Sequence, residues 1–331
     1  MTDSGSIPSY VLGIDGGGTK TTCVLVDQTG KEWGRGKGGS ANYQTVGEEA
    51  AYRSIEQSIG QATQKFEIPI QGLGIGLAGV GRTEDRGVVR GWVDRLQTSP
   101  QLPLQWDLQP EHIVICPDCE IALVGGIGKN QGIAAISGTG AIVWGRNWRG
   151  DTKRVGGWGY LLGDEGSGYW IAQRGLQAAM RSFDGRLGEK TSLTRHFAAH
   201  LGLNTIEDSI EAVYRRGWGV TEIAALSPIV DRSATEGDPV AGQILDDAAQ
   251  ELVLAVKVAA NALFQPDETF EVVTLGGAWQ CAYLRQTFVT SFTANFPNAK
   301  VIEPRHEAAY GAALMVLPKQ KFNVSTGTAN G

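Results

Sequence analysis

The residue pattern of this chain predicts an α/β protein made of two related lobes. Three observations carry that expectation: a strand–turn–strand meander rich in Gly and Thr opens at Tyr10, the same plan restarts at Gly132, and 331 residues leave room for two domains with substantial cores.

In the first lobe, Tyr10–Asp15 is an apolar run that ends in the cluster Asp15-Gly16-Gly17-Gly18-Thr19-Lys20. Thr21–Val26 follows, β-branched and without helical period, then the turn Asp27-Gln28-Thr29-Gly30 and a short third strand through Trp33. Val46, Ala50, Ile55, Ile59 and Phe66 recur at roughly helical spacing and predict one amphipathic helix. Leu73–Ala78 reads as a buried strand, Val88–Leu96 as a helix and Ile113–Cys116 as a strand closed by Pro117, with a helix starting at Asp118. In the second lobe, Gly132–Ser137 and Ala141–Arg146 flank the turn Ser137-Gly138-Thr139-Gly140, and Lys153–Gly157 supplies a third strand. Helices dominate residues 168–264, most clearly Val240–Phe264; Glu271–Leu275 and Val301–Glu303 are strands, and His306–Leu317 is a closing helix. A cleft between two such lobes is the expected ligand site.

Composition narrows the function classes. Hydrophobic residues at 42% and charged residues at 19% describe an ordinary globular protein. The net charge of −6, from 35 acids against 29 bases, argues against a broad nucleic-acid surface, which needs clustered cations to displace counterions. Met1–Ser9 has no cationic and apolar signal segment, and no apolar run reaches the ~20 residues that cross a bilayer, so no membrane partner is expected. Four cysteines are too few for a disulfide framework, and a reducing cytoplasm is the expected compartment.

The first Gly cluster nearly matches a P-loop, but Thr19-Lys20 reverses the required order and a strand follows where a helix must open. It is therefore a hairpin turn whose amides at Gly16, Gly17 and Gly18, with the Thr19 hydroxyl, can form an anion-binding concavity. A Gly-rich hairpin without a ligand is the alternative. Asp15, at the strand end, suits Mg²⁺ held through water, because Mg²⁺ takes few carboxylates and completes its shell with waters and phosphates. Ser137–Gly140 repeats this logic, and Gly276-Gly277-Ala278 opens a helix where a nucleoside can pass closely. The G-x-G-x-x-G match Gly74–Gly79 lies inside a strand and indicates close packing there, not a dinucleotide site.

Asp15–Thr19, Ser137–Gly140, the run Gly156-Gly157-Trp158-Gly159-Tyr160-Leu161-Leu162-Gly163-Asp164-Glu165-Gly166-Ser167 and Leu275–Ala278 together resemble the N-acetylglucosamine kinase branch of the sugar-kinase/actin-like ATPase superfamily, within the BadF/BadG-type ATPase family. The resemblance runs over residues 10–317 in order and implies two ribonuclease-H-like lobes of the actin-like ATPase fold with an inter-lobe cleft. These are residues 10–118, joined by the returning helix 306–317, and residues 119–305, with flexible tails at 1–9 and 319–331. It implies ATP and Mg²⁺ as cofactors, an amino sugar as substrate and a homodimer. Gly16–Lys20 and Gly138, Thr139 and Gly140 would hold phosphates, and Gly276 and Gly277 would border adenosine.

The resemblance places the catalytic base at Asp118, where the positive end of the helix dipole favours a carboxylate; a plain helix cap is the bland alternative. It places sugar contacts at Asn42, Asp118, Gly157, Trp158, Gly159 and Asp164, although Asn42 by itself reads as a turn residue and Trp158 as a core residue. The implied reaction is phosphorylation of the 6-hydroxyl of N-acetylglucosamine or a near relative. Glucosamine or N-acetylmuramate is the alternative acceptor. A rival from another class is an ATPase that drives a partner, as in the activators of dehydratases and reductases, which carry an iron–sulfur cluster. Cys116-Pro117-Asp118-Cys119 has C-x-x-C spacing but no second pair, and structural cysteines are expected. His196 and His200, one helical turn apart, are expected on a solvated helix face.

Overall fold

A computed structural model describes residues 10–64, 68–215 and 217–317; the expected tails and Phe66 lie outside them. The chain divides into two compact units, one running to Ile121 and resuming at Ala308, the other Ala122–Glu307.

The first unit opens with β1 (Tyr10–Gly16), β2 (Thr21–Asp27) and β3 (Glu32–Gly38), an antiparallel meander. Two helices follow, α1 (Tyr43–Val46) and α2 (Glu48–Thr63), where the periodicity predicted one. Gly47, at φ +81°, breaks them apart, and the Asn42 side chain caps the first by accepting from the Gln44 amide. Then come β4 (Pro69–Leu77), α3 (Thr83–Gln97), β5 (Gln105–Trp106), β6 (Ile113–Pro117) and α4 (Asp118–Ile127). The division between units falls within α4.

β4 pairs in parallel with both β1 and β6. The central strands read as continuous apolar runs because both faces of the sheet are covered. Leu12, Ile14, Cys23 and Leu25 pack with Ile55 and Ile59 of α2 and Val89 and Val93 of α3. The alternate positions Val11, Val24 and Val26 pack with Ala309, Ala313 and Val316 of the last helix, Ala308–Val316, on the other face. Two glycines, Gly13 of β1 and Gly74 of β4, make this approach possible, and Gly76 of β4 does the same for α4. A Cβ at Gly13 would lie 2.1 Å from the Ala309 carbonyl oxygen, one at Gly74 2.1 Å from that of Ala312, and one at Gly76 2.4 Å from Ile121 side-chain carbons. The close packing expected at Gly74–Gly79 is thus helix on sheet.

The second unit repeats the plan. β7 (Gly132–Ser137), β8 (Ala141–Arg146) and β9 (Thr152–Gly156) form the meander, followed by α5 (Gly168–Phe183), α6 (Leu193–Leu201), α7 (Val220–Ala224), α8 (Ser227–Thr235) and α9 (Pro239–Leu263). β10 (Glu271–Leu275), α10 (Ala282–Asn295), β11 (Lys300–Ile302) and α11 (Ala308–Val316) complete the chain, the last belonging to the first unit. The sheet order β11-β10-β7-β8-β9 matches β6-β4-β1-β2-β3, with antiparallel pairing in the meander and parallel pairing beyond it. One face carries Ile133, Ala135, Val143 and Val272 against α5 and α9. The other carries Ala134 and Val273 against Leu123 and Ile127 of α4. α9 starts where Asp238 accepts from the Val240 and Ala241 amides and Pro239 fills the first position, which has no amide to satisfy.

Candidate active site

In the first unit the predicted residues gather at the carboxyl ends of the parallel strands, the edge where open α/β sheets place their ligands. Register puts Asp15, Gly76 and Cys116 in one row across β1, β4 and β6, and Gly16, Leu77 and Pro117 in the next. Asp118 follows at once as the first residue of α4, its Oδ1 accepting from the Cys119 amide at 2.9 Å. The β1–β2 turn closes where the Gly17 amide donates to the Lys20 carbonyl at 2.9 Å, leaving Gly18, Thr19 and Lys20 exposed. Its glycines differ in role. A Cβ at Gly16 would lie 2.4 Å from Leu77 Cδ2 and 2.7 Å from the Ala41 Cβ, so packing demands glycine there. At Gly18 nothing lies within 4 Å and the backbone makes no demand for glycine, so the fold gives that position no reason of its own.

Neighbouring loops are stitched to this turn. The Ala41 amide donates to the Gly17 carbonyl at 3.1 Å, and the Ala78 amide to that of Gly16 at 2.8 Å. Asn42 is therefore held beside the end of β4: a Cβ at Gly79 would come within 2.9 Å of Asn42 Oδ1, and Gln44 Nε2 donates to the Gly79 carbonyl at 2.8 Å. The next residue, Tyr43, donates its hydroxyl to Asp85 Oδ1 at 2.5 Å, and Asp85 also accepts from the Arg82 and Gly81 amides. That set of donors, led by Tyr43, holds the Asp85 carboxyl below its usual range. Sequence reading missed this brace, since Tyr43 and Asp85 are joined only by folding.

The second unit assembles its own cluster. Between β7 and β8 the Gly138 amide donates to the Gly140 carbonyl at 2.9 Å. The first amides of α5 hold the turn: Gly168 donates to the Gly138 carbonyl at 2.8 Å and Tyr169 to that of Thr139 at 3.3 Å. Thr139 itself is exposed. Gly276, at φ +106°, lies against the turn so closely that a Cβ would meet the Ser137 carbonyl oxygen at 2.3 Å, whereas Gly277 has nothing within 4 Å. Gly277–Gln280 forms one 3-10 turn before α10, so the expected helix opening comes five residues after Gly277.

Asp164 reaches this cluster from the loop between β9 and α5. A Cβ at Gly140 would lie 2.5 Å from its Oδ2. Its φ of +59° makes it the one non-glycine residue in the left-handed region among the described residues, and strain of this kind concentrates at functional sites. Burial pushes the Asp164 carboxyl up, with amides of Ala141 and Gly159 pulling the other way. Gly157, at φ +70°, and Gly159, at +85°, turn the chain on either side of Trp158. Trp158 is 66% exposed, which overturns its reading as a core residue. Asn42 and Asp118 thus belong to the first unit, and Gly157–Asp164 to the second.

Two further expectations meet the structure. His196 is not on a solvated face. It is buried, with Nδ1 2.8 Å from Ser233 Oγ and Nε2 3.2 Å from Glu236 Oε2. The missed signal is the spacing of Leu193, His196 and Phe197, which puts all three on one buried stripe. Cys116 is buried, and burial followed by the charge of Glu120 pushes its thiol well up, which disfavours the thiolate that metals and redox chemistry use.

Two sheets of one strand order, each with a Gly/Thr hairpin at the same place, define the class as the duplicated α/β fold of actin-like ATPases and sugar kinases. The chain belongs to the BadF/BadG/BcrA/BcrD ATPase family, whose model matches residues 12–316. It is 36% identical over 310 residues to an N-acetylmuramic acid/N-acetylglucosamine kinase of Clostridium acetobutylicum, covering 92% of this chain and 97% of the relative. It is 33% identical over 326 residues to an N-acetyl-D-glucosamine kinase of Dictyostelium discoideum, covering 94% and 98%. A solved Chromobacterium violaceum structure assigned as an N-acetylglucosamine kinase superposes with a TM-score of 0.71 at 25% identity, over 93% of this chain and 99% of that one.

Proposed function

We propose that this chain transfers the γ-phosphoryl group of ATP to the 6-hydroxyl of N-acetylglucosamine or a closely related amino sugar, with Asp118 as general base. The observation that carries the reading is the register of the first sheet, which sends the Gly/Thr turn and Asp118 off one strand edge. Kinases rely on positioning and electrostatics more than on covalent chemistry. In the transfer, the sugar O6 bonds to the γ-phosphorus as its proton passes to the Asp118 carboxylate. The bond from that phosphorus to the bridging oxygen breaks, and ADP leaves. A base so placed contributes about 10²–10⁴-fold.

The turns Gly16–Lys20 and Gly138–Gly140 would hold phosphate oxygens through the Thr19 and Thr139 hydroxyls and the amides other than those of Gly17 and Gly138, which close the hairpins on Lys20 and Gly140, and Gly276 and Gly277 would pass beside adenosine. The openness around Gly18 and Gly277, where side chains are absent without structural need, supports a closely approaching ligand. Asp15 is a single carboxylate at a strand end beside the turn, a donor set that fits Mg²⁺ bound through water, and the ion would neutralise phosphate charge. Asn42, Gly157, Trp158, Gly159 and Asp164 would bind the sugar, and residues 10–118 with 306–317 and residues 119–305 would form the two lobes.

N-acetylmuramate is the second acceptor to test, because the Clostridium acetobutylicum relative carries both sugars in its name. A homodimer and a cytoplasmic location, where ATP is supplied and the four free thiols stay reduced, complete the reading. Among the described residues no helix is long and apolar enough to cross a membrane. The test is ADP release over a panel of N-acetylglucosamine, N-acetylmuramate, glucosamine and glucose. Turnover dependent on an N-acetylated amino sugar is expected; ATP use indifferent to every sugar would refute the proposal.

A further inference from the structure

The loop after β9 has an unusual burden. Gly156, Gly157 and Gly159 all adopt left-handed backbone, at φ +71°, +70° and +85°, so three of four successive residues are of the type with most conformational freedom to lose. The segment has no helix or sheet ladder beyond β9 to fix its peptide planes. Two contacts tie amides down: Gly157 donates to the Ala141 carbonyl at 3.0 Å and Gly159 to Asp164 Oδ1 at 3.2 Å.

The carbonyls are gripped by one side chain. Arg154 Nε donates to the Gly156 carbonyl at 3.1 Å, and its Nη2 donates to the Gly157 carbonyl. The same guanidinium lies 4.9 Å from the centroid of the Trp158 ring. Because each peptide is planar, fixing the Gly157 carbonyl also fixes where the Trp158 N–H points. Stacking on the indole then adds a restraint on a side chain that is 66% exposed and otherwise lies beside Gly163.

We infer that Arg154 is a positioning residue for sugar binding: its planar fork presets the Gly157-Trp158-Gly159 backbone and the Trp158 ring in the geometry that receives the amino sugar. This rests on the proposed sugar site at Gly157–Asp164. Arg154 is exposed, so its conformational role is separable from folding. Lysine cannot substitute, because an ammonium on a flexible stem neither forks onto two carbonyls nor stacks as a plane.

The experiment measures steady-state constants for both substrates in Arg154→Ala, Arg154→Lys and Asp164→Asn, together with melting temperature. Both Arg154 variants should raise the KM for the amino sugar about tenfold, with kcat and the KM for ATP changed less than about twofold, the split expected when binding of one substrate is lost uniformly. Melting temperatures should stay near wild type. Adding free guanidinium to Arg154→Ala should partly restore the sugar KM. If Asp164→Asn raises the sugar KM and the Arg154 variants do not, the inference fails while the sugar site stands. If none of the three moves it, the sugar site and the inference fail together. A fall in melting temperature with an unchanged sugar KM would make Arg154 merely structural and overturn the inference.

Discussion

Asp15 and Asp118 leave the same edge of one sheet, two strands apart. Asp15 on β1 pairs with Gly76 on β4, Gly76 pairs with Cys116 on β6, and Asp118 comes two residues after Cys116. Two strand spacings put Asp15 and Cys116 roughly 10 Å apart, and Asp118 opens α4 just beyond. The residue proposed to position Mg²⁺ and the one proposed to take the proton therefore stand on a common rigid frame.

The two glycines of the first turn should separate cleanly. Gly16→Ala forces a Cβ against Leu77 and Ala41 and should cost about 1–3 kcal/mol, read by denaturant unfolding. Gly18→Ala meets open space and should leave stability within about 0.5 kcal/mol. Its effect should fall on the KM for ATP, raised severalfold by the methyl where phosphate approaches.

Gly74→Ala probes the seat of α11. The new Cβ meets the backbone of Ala312, which cannot rotate away as a side chain can, so α11 must shift. A loss of about 3 kcal/mol or more is expected in chemical denaturation, beyond the usual range of single substitutions.

Asp164 should govern how sugar affinity depends on pH. Its carboxyl is pushed above the usual carboxylate range by burial, so in the free protein it takes up a proton at higher pH than its unfolded counterpart. The neutral form is thus favoured by folding, and its contribution to stability is lost as pH rises through the raised value. The ionised carboxylate accepts more strongly from sugar hydroxyls, so the sugar KM should fall as pH rises through that range. In Asp164→Asn the KM profile should be flat across it.

Asp27 should act on stability, with a signature in acid. Burial raises its carboxyl, but the Thr29 and Trp33 side chains and the Lys31 and Thr29 amides outweigh that and hold it at about 2. The unfolded value is about 3.9, so its stabilisation is complete above that pH and drains away as pH falls toward about 2. The melting temperature of wild type should fall over this window, and Asp27→Asn should be less stable at neutral pH with a shallower acid decline.

What the sequence made legible follows burial. β1 and β2 were readable because both faces are covered, which leaves an uninterrupted apolar run between two turn signals. The pair of Gly/Thr hairpins was readable because a hairpin is local. Legibility failed where a partner distant in sequence decides the outcome. His196 has its ring nitrogens against Ser233 and Glu236, far along the chain, and Gly74 answers to Ala312. The approach of Asp164 to Gly140 depends on a long loop folding back over its own sheet, and no periodicity announces it. The break between α1 and α2 at Gly47 was open to view, but a helical apolar spacing ran across it and prevailed.

The central claim is that Asp118 takes the proton of the sugar alcohol. Single-turnover phosphoryl transfer to N-acetylglucosamine, compared between wild type and Asp118→Asn with ATP and Mg²⁺ saturating, tests it most directly. The expected result is a rate lower by about 10²–10⁴-fold with ATP binding intact. A variant that transfers phosphate at close to the wild-type rate would contradict it.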